Sequence, residues 1–338
     1  MTKRELVNRW NSPDGQNVLK AVLRALKRSE PLGEVNGLEM IDNRFDLRGA
    51  TLSTVKEQRT IGTKEHSLTQ TTGSLKLKNA DIESIDFSHA DISYGLFQEC
   101  TVTDCLFNET IAKEMDIYAS DFESCVFGKT NFAYSFMNKN VAGNAGSFRN
   151  CKFLKTNLKE TIFSFPIIDN CIFEDCELEG ADFDGSRMRN VTFAGDVDSP
   201  FIRGYSWTAE TSLFWIFNKI NPRDYPNLME NIDFSRANIK DILFLDEIDL
   251  TNCKFPATGD FIMVNNVTKL FPKLRDIVVK EWQDEDKKYA LSLIDNLYYS
   301  PKKQGMTLDV ISTIHSEHLG KEFQERLDQL IREHNVDL

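Results

Sequence analysis

Seven cysteines and five histidines are the side chains with which this 338-residue chain could bind a metal or attack a substrate. Their spacing argues against both uses. Cys100, Cys105, Cys125, Cys151, Cys171, Cys176 and Cys253 each stand two residues before a large apolar residue: Val102, Phe107, Phe127, Phe153, Phe173, Leu178 and Phe255. Elsewhere the same slot holds Ala80, Ala90, Gly95, Ser120, Thr130, Ser135, Thr156, Ala181 and Ser186. A slot shared by Ala, Gly, Ser, Thr and Cys selects for size, and a free cysteine packs as a small hydrophobe. The thiols therefore read as core filler. No histidine shares the slot. His66 falls in a polar stretch and His89 at an outward position. His315 and His318 have a three-residue spacing that could hold a metal on a helix, but no third ligand is evident. Nucleophile elbow, P-loop and dinucleotide glycine patterns are missing. The expectation is a chain with no catalytic residues, no metal and no cofactor.

The large residues after the cysteines belong to a five-residue beat. It runs Leu77, Ile82, Phe87, Ile92, Phe97, Val102, Phe107, then through Ile117, Phe122, Phe127 and Phe132, with only Ala112 small. After one extra residue near Gly143 and Gly146 it resumes at Phe148 and continues to Phe193. A strand has period 2 and a helix period 3.6, so a fixed period of five over this length means a repeat architecture. The skewed aromatic usage, 24 Phe against 4 Trp and 8 Tyr, reflects the beat.

Where the beat stops, other elements are expected. Residues 1–30 read as a helical cap. Ser12 and Pro13 suit its start, and Val18, Leu19, Val22, Leu23 and Leu26 form its apolar stripe. The solenoid is expected over 31–256, with first beats at Leu47 and Leu52, and a polar loop extruded at 54–74. An aromatic insertion is placed at 197–230, after which the beat returns at Phe234, Ile239 and Phe244 and slips again to Leu250 and Phe255. Residues 257–338 read as a small helical domain, with a third helix around Leu308, Val310, Ile311 and Ile314 and a last one carrying Phe323, Leu327, Leu330 and Ile331 on one face.

The unit is a small residue, Asp or Asn, Leu or Phe, then two polar residues. Copies are Ala80-Asp81-Ile82-Glu83-Ser84, Ala90-Asp91-Ile92-Ser93-Tyr94, Thr130-Asn131-Phe132-Ala133-Tyr134, Ala181-Asp182-Phe183-Asp184-Gly185 and Ala237-Asn238-Ile239-Lys240-Asp241. This pattern resembles the pentapeptide-repeat family over roughly 77–195 and 232–256. The resemblance implies a mainly β fold, a right-handed quadrilateral β-helix in which four units make one coil, here with an N-terminal capping helix and a small α-helical C-terminal domain. Six coils from the 24 units between Leu77 and Phe193 would rise about 29 Å.

Some members of that family protect DNA gyrase and topoisomerases by mimicking duplex DNA, and others are secretion-system effectors. The formal charge is −12, with 19 Asp/Glu against 10 Lys/Arg between Leu77 and Gly195. Such a rod is a poor direct partner for nucleic acid or an anionic membrane. Units twenty residues apart share a face, which gives a candidate acidic interaction face of Asp81, Glu83, Asp104, Asp121 and Glu123, with no base among them. A second acidic cluster comprises Glu174, Asp175, Glu177, Glu179, Asp182 and Asp184. Trp207, Phe214 and Trp215 are candidate aromatic contacts. Phe323, Leu327, Leu330 and Ile331 would serve either a homodimer or domain packing. No apolar run is long enough to span a bilayer and Met1–Trp10 lacks a signal core, so no stable membrane insertion and a cytoplasmic location are expected. The function expected is a non-enzymatic protein-interaction or scaffold module. The alternatives are an acidic DNA mimic that binds a topoisomerase or gyrase, and a secreted effector or unrecognised enzyme.

Overall fold

The computed structural model describes residues 1–62, 67–141, 144–206, 221–303, 305–313 and 320–335. Its centre is a β-helix whose corners recur every five residues. Two positions after each large residue the backbone enters the left-handed region: φ is +51° at Asn79 and Ser84, +61° at His89, +60° at Tyr94 and +54° at Glu99. Residues with a Cβ resist this conformation. Here each corner amide is held by the next coil, as in Asn79 N–H to Gln98 O at 3.0 Å and Glu99 N–H to Tyr118 O at 2.8 Å. The small residue follows the corner, and the large residue points inward from the middle of a short strand.

Successive coils pair in parallel, twenty residues apart. Ile82, Val102 and Phe122 stack on what we term the first face, and Leu77, Phe97 and Ile117 on the fourth. The second face carries the most regular core. Phe87, Phe107, Phe127, Phe153, Phe173, Phe193, Phe234 and Phe255 form one ladder with centroid spacings of 4.5 to 5.3 Å. Leu47, whose amide bonds Asp86 O, adds a ninth rung below Phe87. At roughly 4.8 Å per step the rod is about 38 Å tall. It extends beyond the six coils between Leu77 and Phe193, because the beat at Leu47 and the turns beyond Phe193 belong to the same stack.

Three excursions leave this rod. The first was expected as a polar loop at 54–74. Instead Val55–Gly62 pairs antiparallel with Ser67–Gly73 as a β-hairpin. Its two strands bond to each other through their backbones, which needs no apolar pattern. The second lies at the slip before Phe148. Asp121 pairs with Ser147, a gap of 26 residues where 20 is the rule, and Phe148 stacks on Phe122 at 5.0 Å. The excess is a whole unit plus one residue. The third is the aromatic insertion. A twelve-residue strand, Thr192–Arg203, pairs with Ile232–Leu245, and Val197 and Ile202 are buried inward residues. The solenoid thus runs on to Arg203, past the expected insertion start at 197.

Both ends are covered. Helices α1 (Lys3–Asn8) and α2 (Pro13–Arg28) close the first coil. Ser12 Oγ accepts from Gly15 N–H at 3.1 Å, and Leu19, Val22, Ala25 and Leu26 are buried with Trp10. Arg9 fixes the cap by two bonds to the buried Asp46 carboxylate, at 2.6 and 2.7 Å, and Trp10 Nε1 donates to Arg48 O at 2.7 Å. At the other end α3 (Val267–Glu281), α4 (Asp284–Leu293) and α5 (Lys321–Asn335) pack around an antiparallel pair, Phe261–Asn265 with Leu308–Ser312. The expected third helix is therefore a strand at 308–312, and the C-terminal unit is mixed α and β. Val310 and Ile311 are β-branched and pair with Met263 and Ile262, where a pleated half-buried surface suits them.

Candidate interaction surfaces

Because the inward positions are filled, the chemistry of the rod lies in the residues that flank them. The first face is a six-stranded sheet of Asp81–Glu83, Thr101–Thr103, Asp121–Glu123, Ser147–Arg149, Ile167–Asp169 and Arg187–Arg189. It does bring together the five acids expected there. Asp81 and Asp121 stand two rungs apart on one edge, about 10 Å, with Glu83 and Glu123 across from them and Asp104 at the adjoining corner. The face is not free of bases, however. Arg44, from the strand beside the first coil, pairs with the Asp104 carboxylate and donates through Nε to its carbonyl at 3.0 Å. Arg149 comes within 3.6 Å of Asp121. Glu123 accepts from Asn150, whose own amide oxygen receives Asn170 one rung higher.

Further along, the same face changes sign. Arg149, Arg187 and Arg189 occupy the flanking positions of Phe148 and Met188. Arg189 clamps Asp169 and holds its carboxyl below the usual range. These arginines were not among the expected site residues. Their phase against Phe148 and Met188 was readable, and only the emphasis on acidic residues hid them.

The second acidic cluster does not form one field. Its six residues turn two corners. Glu174 flanks the second face and Asp175 marks a corner, while Glu177 and the Lys159-paired Glu179 flank the third. Asp182 and Asp184 belong to the fourth face and are buried. Arg203 Nε donates to Asp182 at 2.9 Å, and Ser206 Oγ donates to Asp184 at 2.8 Å. Those two are interior polar anchors, shielded from any partner. On α5, Phe323, Leu327 and Ile331 are buried and Leu330 is partly so. Trp282 meets Phe323 edge-on at 6.0 Å, so this apolar face is spent within the C-terminal unit. Trp207, Phe214 and Trp215, like His66, His315 and His318, lie outside the described residues. His89 is half-buried, with Nδ1 closed off from solvent 3.3 Å from Glu109.

All seven thiols are free, and six are fully buried. Each of those six points Sγ at backbone carbonyls, as Cys125 does at Val102 O and Glu123 O, both 3.4 Å. Burial pushes Cys176 and Cys253 up to about 12. Among the described residues no group of three or more His, Cys, Asp or Glu could hold a metal. No helix among them is long and apolar enough to cross a membrane.

The corner geometry, the parallel stacking and the five-residue unit define a β-helix of pentapeptide repeats. Eight copies of the pentapeptide repeats model match residues 163–195, so this part of the chain carries pentapeptide repeats. Similar solved structures include full-length QnrB1, described as a plasmid-mediated fluoroquinolone resistance protein. It is 15% identical, over 54% of this chain and 78% of that one, with a TM-score of 0.23. The pentapeptide repeat protein Rfr23 from the cyanobacterium Cyanothece 51142 is 12% identical over 34% and 62%, with a TM-score of 0.23. HetL from Nostoc sp. strain PCC 7120, described as involved in heterocyst differentiation regulation, is 10% identical over 55% and 84%, with a TM-score of 0.17. No curated protein matches the sequence.

Proposed function

We propose that the chain is a non-enzymatic protein-binding scaffold and that the first face is its contact surface. The observation that carries this reading is the in-register parallel sheet of that face, whose flanking side chains include Asp81, Glu83, Asp121 and Glu123 on its early rungs and Arg187 and Arg189 on its last. A rigid array of this kind presents charges at fixed spacings with little ordering cost, which favours specific protein contact. The acidic DNA-mimic reading is less well supported, because Arg44, Arg149, Arg187 and Arg189 interrupt the negative field.

Affinity capture from the native host tests the proposal by comparing three forms of the chain. Charge reversal of Asp81, Glu83, Asp121 and Glu123 to lysine is expected to release the wild-type partner. Reversal of Glu177 and Glu179 on the third face is expected to retain it. Retention by the first-face variant would refute the assignment. A captured topoisomerase that duplex DNA competes away would restore the mimic reading.

A further inference from the structure

Arg187 sits on the last rung of the first face without an acidic partner among the described residues. Its neighbours differ: Arg149 approaches Asp121, Arg189 clamps Asp169, and Arg203 holds Asp182 and Asp246. The Arg187 guanidinium instead lies over aromatic rings, 4.9 Å from the centre of Phe165 and 5.7 Å from that of Tyr225. Its Nε is closed off from solvent and donates to nothing. Burial pulls its pKa down, and the Arg149 charge adds to that while Tyr225 opposes it. A half-buried cation with an unspent donor destabilises a fold, and such groups are usually satisfied.

A cavity of about 300 Å³ opens beside the Arg187 guanidinium, lined by Arg149 and Arg189, by the carboxylates of Asp169 and Glu230, and by apolar Ile167, Pro226 and Leu228. Leu228 is 54% exposed and Tyr225 44%. The volume is at the low end for ligand sites and suits one side chain better than a nucleotide. Three arginines stand against two carboxylates, one of which, Asp169, is already paired with Arg189. The net positive charge favours an oxyanion on Arg187, and exposed Leu228 favours an apolar neighbour beside it.

We propose that this cavity is an oxyanion-binding pocket for an acidic peptide segment of a protein partner, with a carboxylate or phosphate seated on Arg187 and an adjoining apolar side chain on Leu228 and Tyr225. The proposal rests on the protein-binding reading of the first face and adds the chemistry of what is bound.

Three labelled pentapeptides test it by fluorescence anisotropy: one alternating leucine and glutamate, its glutamine counterpart, and its phosphoserine counterpart. The acidic peptides are expected to bind and the glutamine peptide is not. Arg187→Gln is expected to weaken binding about tenfold, the worth of one charge-assisted contact. Tighter binding of the phosphoserine peptide would assign phosphate as the natural group, and tighter binding of the glutamate peptide would assign carboxylate. Nitrogen-15 spectra of the arginine Nε–H groups should show the Arg187 signal moving as acidic peptide is added. An unmoved signal at saturating peptide, or equal binding by Arg187→Gln, would overturn the pocket. Arg187→Met should melt no lower than wild type, because it removes an unpartnered charge. Melting well below wild type would instead show that the guanidinium serves the fold and would also overturn the proposal. If the pocket fails while charge reversal of Asp81, Glu83, Asp121 and Glu123 still releases the captured partner, the scaffold reading survives alone.

Discussion

Replacing Phe127 with alanine should injure the rod more than the same change at the end of the ladder. Phe127 is fully buried. It stacks on Phe107 at 5.0 Å and Phe153 at 4.7 Å, and meets Phe132 edge-on at 5.4 Å and Phe148 at 6.5 Å. Truncation removes the transfer energy of a whole ring and leaves a cavity whose walls are held by hydrogen-bonded coils above and below. Core Phe→Ala changes cost about 3–5 kcal/mol, and the locked walls place this site at the upper part of that range. Phe255 has one stacked partner, Phe234 at 5.3 Å, and is only partly buried. Its truncation should cost about 1–2 kcal/mol, since less area leaves water and the end can relax. Phe127→Leu keeps most of the volume and should cost about 1 kcal/mol. Urea unfolding gives the total penalty for each variant. Hydrogen exchange at 126–128 and 152–154 tells whether the loss is felt in the neighbouring coils, as nearest-neighbour stacking requires. Equal penalties at Phe127 and Phe255, or less than about 1 kcal/mol at Phe127, would refute the view that continuous stacking holds the rod.

Other consequences are as direct. Asp46 is buried, which by itself would raise its carboxyl, but hydrogen bonds from Arg9 and Arg48 outweigh that and hold it far below the usual range. A depressed carboxyl contributes stability that is full above its unfolded value, near pH 4, and is lost as pH falls below it. Protease access to the α1–α2 cap should therefore rise below about pH 4, and Asp46→Asn should produce the same opening at neutral pH, at about 2–4 kcal/mol. A cap equally protected in that variant would exclude the Arg9–Asp46 anchor. In the C-terminal unit Lys303 Nζ bonds the buried Asp309 at 2.6 Å. Asp309→Asn strands a buried ammonium and should cost about 3–5 kcal/mol, whereas pairing Lys303→Met with Asp309→Leu should recover most of that; equal losses in both variants would contradict the explanation. A thiol reagent should label no more than Cys253, the one partly accessible cysteine, before global unfolding exposes the rest. Rapid labelling of Cys105 or Cys151 in the native protein would contradict the packed-slot reading.

The sequence carried the core because one large and one small residue per unit leave a strict period, and the same phase separated the cysteines from metal chemistry. It misled where arithmetic modulo five hides a whole unit, as in the 26-residue step between Asp121 and Ser147. It misled again at Val197 and Ile202, where a four-residue spacing broke the beat without breaking the stack. The 308–312 strand was missed because its partner, 261–265, lies some fifty residues away and only pairing decides its conformation. The acidic face was readable from phase, but Arg44 reaches Asp104 from outside the beat, which phase cannot show. Asp182 and Asp184 look like surface acid beside Glu177 and Glu179, yet Arg203 and Ser206 make them interior. Arg187 was in phase as well. That it lacks an acid depends on Phe165 and Tyr225, which no spacing rule brings together.

Hydroxyl-radical footprinting of the chain, free and in complex with the protein it captures, tests the contact surface most directly. The account predicts protection of Ile167, Tyr225 and Leu228 on and beside the first face, with no change at Ile111, Tyr134 and Phe136, which are 40%, 55% and 38% exposed on other sides of the rod. Protection at Ile111, Tyr134 and Phe136 with Leu228 and Tyr225 unchanged would contradict it.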